Sequence, residues 1–296
     1  MKPAHIFLAA SVMAAWGINF VIIRIGLDNF PPILLSTLRF GLAGLPLIFI
    51  WKTRPAPLHW IVAIALCLGI FKFSLLFVGM DLGAGAGLSS LVLQMQAFFT
   101  VLLAFFLLDE RPSKRQMAGM GLAFIGLGII LADQYGGRSA FIGIAFVVVA
   151  ALFWALSNLS MKKAQSSNPL HLMIWVSAFS TPVLLGISWG YEGGDAIINA
   201  FEQISFSGIT SVFYLAFIAT LAGFGIWAYL LKTYDAGQVA PFSLLVPIFG
   251  MTSSALVLGE TITINSLVAA GFIITGLYFN TMPAGSFLKR RKTLPC

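Results

Sequence analysis

Hydrophobic residues fall into ten long runs, near 4–25, 32–51, 59–79, 87–108, 115–132, 140–161, 169–190, 208–230, 238–258 and 265–282, parted by short connections that hold nearly all the charge. Each run has roughly the 20 residues that a helix needs to cross a hydrocarbon core of about 30 Å. Helices satisfy their own backbone hydrogen bonds in lipid, which open strands do not. The pattern predicts an all-α membrane protein of ten transmembrane helices. No small-residue cleavage motif follows the first run, which opens a repeat unit, so it reads as a retained helix and not a removed signal peptide.

The second half is a weak copy of the first. Leu107-Leu108-Asp109-Glu110 and Leu256-Val257-Leu258-Gly259-Glu260 close matching runs at a constant offset, Gly121 matches Gly271, and Gly126-Leu127 matches Gly276-Leu277. Trp16 stands eight residues before Arg24, as Trp154 does before Lys162. Residues 1–135 and 136–285 are therefore two five-helix units, and 286–296 a basic tail. Five spans are an odd number, so the second unit enters the membrane in the opposite sense. Inverted repeats let two similar halves exchange conformations around one midplane site. With the amino terminus inside, the inner connections collect Lys2, Lys52, Arg54, Arg111, Lys114, Arg115, Lys162, Lys163, Lys232 and the tail Lys289, Arg290, Arg291 and Lys292, leaving Arg24 and Arg138 outside. The bias of basic residues to the cytoplasmic face then puts both termini in the cytoplasm.

Composition agrees: 59% of residues are hydrophobic, 9% are charged, and the mean hydropathy is +0.97, too apolar to coat a soluble domain of this length. The net charge of +7 sits in short clusters between apolar runs, with no interleaving of basic and aromatic residues, and so does not point to nucleic acid. Cys67 lies in an apolar run and Cys296 ends the chain, which leaves no workable disulfide or metal pair. No Asp-rich metal motif, HExxH, phosphate-binding glycine loop or nucleophile-base pair occurs, so a membrane-embedded enzyme is disfavoured and no cofactor is expected.

Ionisable groups inside a bilayer are costly and usually face a cavity. Arg39 and Lys72 lie farthest from helix ends, each about seven residues in, or about 10 Å deep at about 1.5 Å per residue. No Asp or Glu lies mid-helix to neutralise them, which makes a substrate carboxylate one plausible partner; snorkelling of Lys72 and helix-end bonding by Arg39 are the structural alternative. Asn19, Asn158 and Gln94 offer amides to a polar cargo or to neighbouring helices. Phe73, Trp154 and Trp227, together with Phe71, Phe224 and Tyr214, are candidate walls. Ser243, just after Pro241, is a candidate donor where the proline frees backbone carbonyls.

Pro46 and Pro182 mark a bend at the same place in the second helix of each half, and Gly121 and Gly271 read as packing positions between helices. His5, His59 and His171 sit at helix ends, and Asp28, Asp81, Asp133, Glu192, Asp195, Glu202 and Glu260 in connections, so no intramembrane proton carrier is visible. Facilitated efflux or exchange is simpler than proton coupling.

Trp16-Gly17-Ile18-Asn19-Phe20, Pro31-Pro32 leading to Leu38-Arg39-Phe40, Leu108-Asp109-Glu110-Arg111, and Ala240-Pro241-Phe242-Ser243-Leu244-Leu245-Val246-Pro247 followed by Gly259-Glu260 and the closing Gly271 and Gly276 resemble the EamA branch of the drug/metabolite transporter superfamily. The resemblance spans about residues 5–283. Within that branch, Gly87 to Thr100 and Gly225-Ile226-Trp227 are similar to bacterial inner-membrane exporters of O-acetylserine and cysteine. The resemblance implies export of small amino-acid metabolites by alternating access, with a small-molecule substrate and the lipid bilayer as partners. Aromatic amino acids, purine-like compounds and amphiphilic drugs are the alternative cargoes.

Overall fold

In a computed structural model of the chain, residues 1–134, 137–234 and 236–281 are described. Ten helices are long and apolar enough to cross a membrane: helix one Pro3–Leu27, two Pro32–Ile50, three Leu58–Asp81, four Ala86–Leu108, five Lys114–Gln134, six Arg138–Ala164, seven Pro169–Tyr191, eight Phe206–Thr233, nine Ala240–Leu258 and ten Ile264–Thr281. Every one overlaps a hydrophobic run, and no strand occurs among the described residues. The boundary between the two five-helix units and the basic tail 286–296 fall outside the described residues.

Successive spans alternate in direction, so helix six runs opposite to helix one and the halves are inverted. Packing follows the internal symmetry. Helix one lies against eight and nine, as helix six lies against three and four, while helix two pairs with seven and helix five with ten. Small residues set the closest approaches, as expected where lipid gives no hydrophobic drive for helices to associate. A Cβ added at Gly17 would come within 2.9 Å of both Gly250 N and Val246 O on helix nine. Gly119 and Gly276 face each other's carbonyl oxygens, at 2.6 and 2.5 Å from an added Cβ. Gly121 and Gly271 have nothing within 4 Å, which corrects the expectation that this matched pair forms the helix contact. On a helix, Gly119 and Gly121 face different directions, and it is Gly119, Gly126 and Gly276 that point at a neighbour.

The two matched prolines sit differently in their helices. Pro46 interrupts helix two, which splits into Pro32–Gly44 and Leu47–Ile50. Pro182 lies inside an unbroken helix seven. In the turns before it, Ser177, Ser180 and Thr181 turn their hydroxyls onto carbonyls four residues back. Helices three and eight, which are repeat mates, both widen into π-helical turns, over Ala65–Lys72 and Tyr214–Ala222. Such turns break the regular i to i−4 ladder and frequently accompany functional sites.

The two ends of the bundle differ. At the end away from the amino terminus, Glu260 accepts the N–H groups of Ala86 (2.6 Å) and Gly87 (3.0 Å) at the start of helix four. Glu192 does the same for Ile33 (2.6 Å) and Leu34 (3.0 Å) at the start of helix two. A carboxylate at a helix start meets both unpaired donors and the positive end of the helix dipole. At the end that carries the amino terminus, Glu110, the repeat mate of Glu260, is half-exposed and pairs with Lys162 at 2.5 Å. Asp109 and Gly259, just before these acids, both adopt the left-handed backbone that stops a helix, with φ of 54° and 68°.

A cavity open at one end holds two buried cations

A cavity of about 1110 Å³ runs from the amino-terminal end of the bundle, where Ser166–Asn168, Tyr229 and Lys232 form its mouth, to mid-bundle. Leu76 and Ser90 are its lining residues nearest the far end, where the Glu260 cap holds helix four against helix nine. All nine residues singled out from the sequence line it: Asn19, Arg39, Lys72, Phe73, Gln94, Trp154, Asn158, Trp227 and Ser243. Phe224 lines it too, but Phe71 and Tyr214 do not. Phe71 is exposed and stacks on Phe153 on the outer face of helix three. Tyr214 donates its hydroxyl to Ala15 O, 2.9 Å away, and so ties helix eight to helix one.

Arg39 and Lys72 are 2% and 4% exposed, so neither reaches bulk water. Both meet the ring of Phe73, with Arg39 Cζ 4.0 Å and Lys72 Nζ 3.3 Å from its centroid. Those distances bound the separation of the charges at about 7 Å, where two unit charges repel by about 2 kcal/mol at a protein's effective dielectric. Lys72 Nζ also lies 4.6 Å from the Trp154 ring centre. Cation–π contacts of this kind partly offset desolvation. No Asp or Glu lines the cavity among the described residues.

One bond fixes the guanidinium. Arg39 Nε donates to Thr220 Oγ1 at 3.0 Å, and that hydroxyl donates to Leu215 O at 2.8 Å, five residues back in the π-turn of helix eight. Arg39 Nη1 is buried without a partner among the described residues. Thr220 was not visible as a site residue from sequence, because a Thr in an apolar run carries no signal until the helix register is known. It is buried behind Arg39 and does not line the cavity. Thr220→Val is expected to raise KM for cargo about tenfold with little change in the maximal rate, since a hydrogen bond to a charged group is worth about 1.5–3 kcal/mol. Thr220→Ser, which keeps the hydroxyl, is expected to restore it.

The amides divide into two kinds. Asn158 Nδ2 donates to Gln96 Oε1 at 2.7 Å and to Thr100 Oγ1 at 3.2 Å, so it bonds helix six to helix four. Asn19 Oδ1 is buried, an acceptor without a donor among the described residues. Ser243 turns its hydroxyl back to Ala240 O at 2.7 Å inside the first, 3₁₀-helical turn of helix nine. Trp16, noted from sequence as a repeat and motif marker but not as a lining residue, lines the cavity, donates its indole N–H to Ala219 O at 2.9 Å and packs between Phe224 and Trp227.

Ten spans in two inverted five-helix repeats, around a cavity open to one side, have the build of a membrane transporter. The chain belongs to the EamA-like transporter family, which matches residues 4–132 and 141–282, one match per half. It is 40% identical over 279 residues to a protein of Salmonella typhimurium named "Probable amino-acid metabolite efflux pump", covering 93% of each chain. It is 39% identical over 278 residues to an Escherichia coli protein of the same name, covering 92% of this chain and 93% of the other. A crystal structure of a protein 15% identical shares the fold, with a TM-score of 0.56 over 95% of this chain and 99% of that one.

Proposed function

We propose that this transporter exports small amino-acid-type metabolites across a bacterial inner membrane, with both termini cytoplasmic, by alternating exposure of the central cavity. The observation that carries the reading is the pair of buried cations, Arg39 and Lys72, facing a cavity without a lining acid among the described residues. A cargo carboxylate supplies the missing charge. Arg39 Nη1 is a free donor for it, and Asn19 and Gln94 meet the polar remainder while Phe73, Trp154, Trp227 and Phe224 wall the apolar part. Asn158 shapes the wall from the Gln96 side, and Ser243 lies in the 3₁₀-helical start of helix nine. The names of the two bacterial relatives support efflux as the direction and amino-acid metabolites as the class.

The test is efflux of labelled cysteine, O-acetylserine and phenylalanine from proteoliposomes, with and without an imposed proton gradient. Small amino-acid metabolites are expected to leave faster than phenylalanine, and without dependence on the gradient. Flux of none of them, or flux only with a proton gradient, would overturn the cargo or the coupling.

A further inference from the structure

We infer that the seat formed by Arg39 and Lys72 favours cargo of net negative charge, an organic acid whose amine is acylated or absent, over a zwitterionic amino acid of the same size. The inference rests on the exporter reading and narrows its cargo. Both cations are at least nine-tenths buried, Arg39 Nη1 has no partner, and no Asp, Glu or His lines the cavity among the described residues. A carboxylate in the cavity beside both is attracted twice. The α-ammonium of a zwitterion, one carbon away from that carboxylate, arrives beside the same two positive groups and is repelled by both.

An ammonium could escape this only by finding a carboxylate or an open aromatic face. The faces nearest the seat are occupied by the protein's own charges: Phe73 carries both Arg39 and Lys72, and Trp154 carries Lys72. Trp16 is flanked by Phe224 and Trp227, with ring centres 5.2 and 5.8 Å away. What remains is neutral. Asn19 Oδ1 lacks a donor and fits the N–H of an acylated amine or a hydroxyl, and the Gln94 amide offers a donor for an acyl carbonyl. Neutral amides satisfy hydrogen bonds without offsetting a second positive charge.

An anion crossing alone carries charge, and the seat's own cations stay on helices two and three while the cavity changes sides. An inside-negative potential then drives cargo outward, by about 50-fold in concentration ratio per 100 mV. Export needs no proton carrier on this account.

The experiment uses N-acetyl-L-serine and L-serine as probes on the purified full-length chain. Thermal stabilisation in detergent is expected at about tenfold lower concentration for N-acetyl-L-serine. Labelled N-acetyl-L-serine in proteoliposomes is expected to follow a valinomycin-set potassium potential in sign, and Lys72→Met to remove both effects. Equal or tighter binding of L-serine, or flux indifferent to the potential, would overturn the inference and leave the exporter reading standing. Failure of both probes to bind while cysteine or O-acetylserine is transported would do the same; failure of every compound would remove both.

Discussion

Lys72→Met is expected to cut transport at least about 30-fold while leaving the protein as stable as before, or more so. Removing one partner of a buried charged contact typically costs 2–5 kcal/mol of binding, which sets the scale. The stability half of the result follows from the surroundings. Among the described residues Lys72 makes no ion pair; it contacts the Phe73 and Trp154 rings and shares Phe73 with a second cation. Met has nearly the same length and meets those rings favourably through its sulfur, while the charge that must be kept out of water disappears. A lysine retained for packing would show the reverse, a lower melting temperature with transport retained. Thermal unfolding in detergent beside initial rates in proteoliposomes separates the two, and a drop in both would point to a structural role.

Gly17→Leu is expected to prevent folding altogether. The added side chain meets helix-nine backbone at 2.9 Å at two atoms, Gly250 N and Val246 O, and backbone has no rotamer to yield. Overpacking of a single methylene commonly costs 1–3 kcal/mol, and here an entire isobutyl group must be placed between two helices that join the two halves. Gly121→Ala and Gly271→Ala are the controls, since their added carbons meet open space. Fluorescence-detected size-exclusion chromatography of tagged variants reads the contrast. A sharp peak from Gly17→Leu would show that helices one and nine separate more readily than this packing implies.

The helix positions were legible because membrane spans are written in composition: helix three, expected at 59–79, is Leu58–Asp81. The lining of the candidate cavity was legible for the same reason, since a charge in such a run must face something polar. Arg39, Lys72 and the amides accordingly line one cavity. What did not show was direction around each helix. Phe71, Lys72 and Phe73 are consecutive, yet Phe71 faces outward and the other two face inward. With apolar residues on every face, hydrophobic periodicity is weak, and nothing chose between them. The same blindness made Gly121 and Gly271 read as the helix contact in place of Gly119 and Gly276. The π-turns were hidden because they change hydrogen-bond register without changing residue type. Glu260 read only as part of a connection, since its role is a contact with residues about 170 positions earlier in the chain.

The repeats share a backbone plan but not their charges. Arg39 has Trp175 at the matching place in helix seven, and the stretch of helix eight that matches Lys72, around Leu221 and Ala222, is uncharged. Two identical five-helix subunits joined about the same axis would present every cation twice, and four positive charges would crowd one cavity. A duplicated but covalently fused chain escapes that arithmetic. One half can hold the recognition chemistry while the other drifts toward pure wall and lever, which makes room for new cargoes through changes in a single half.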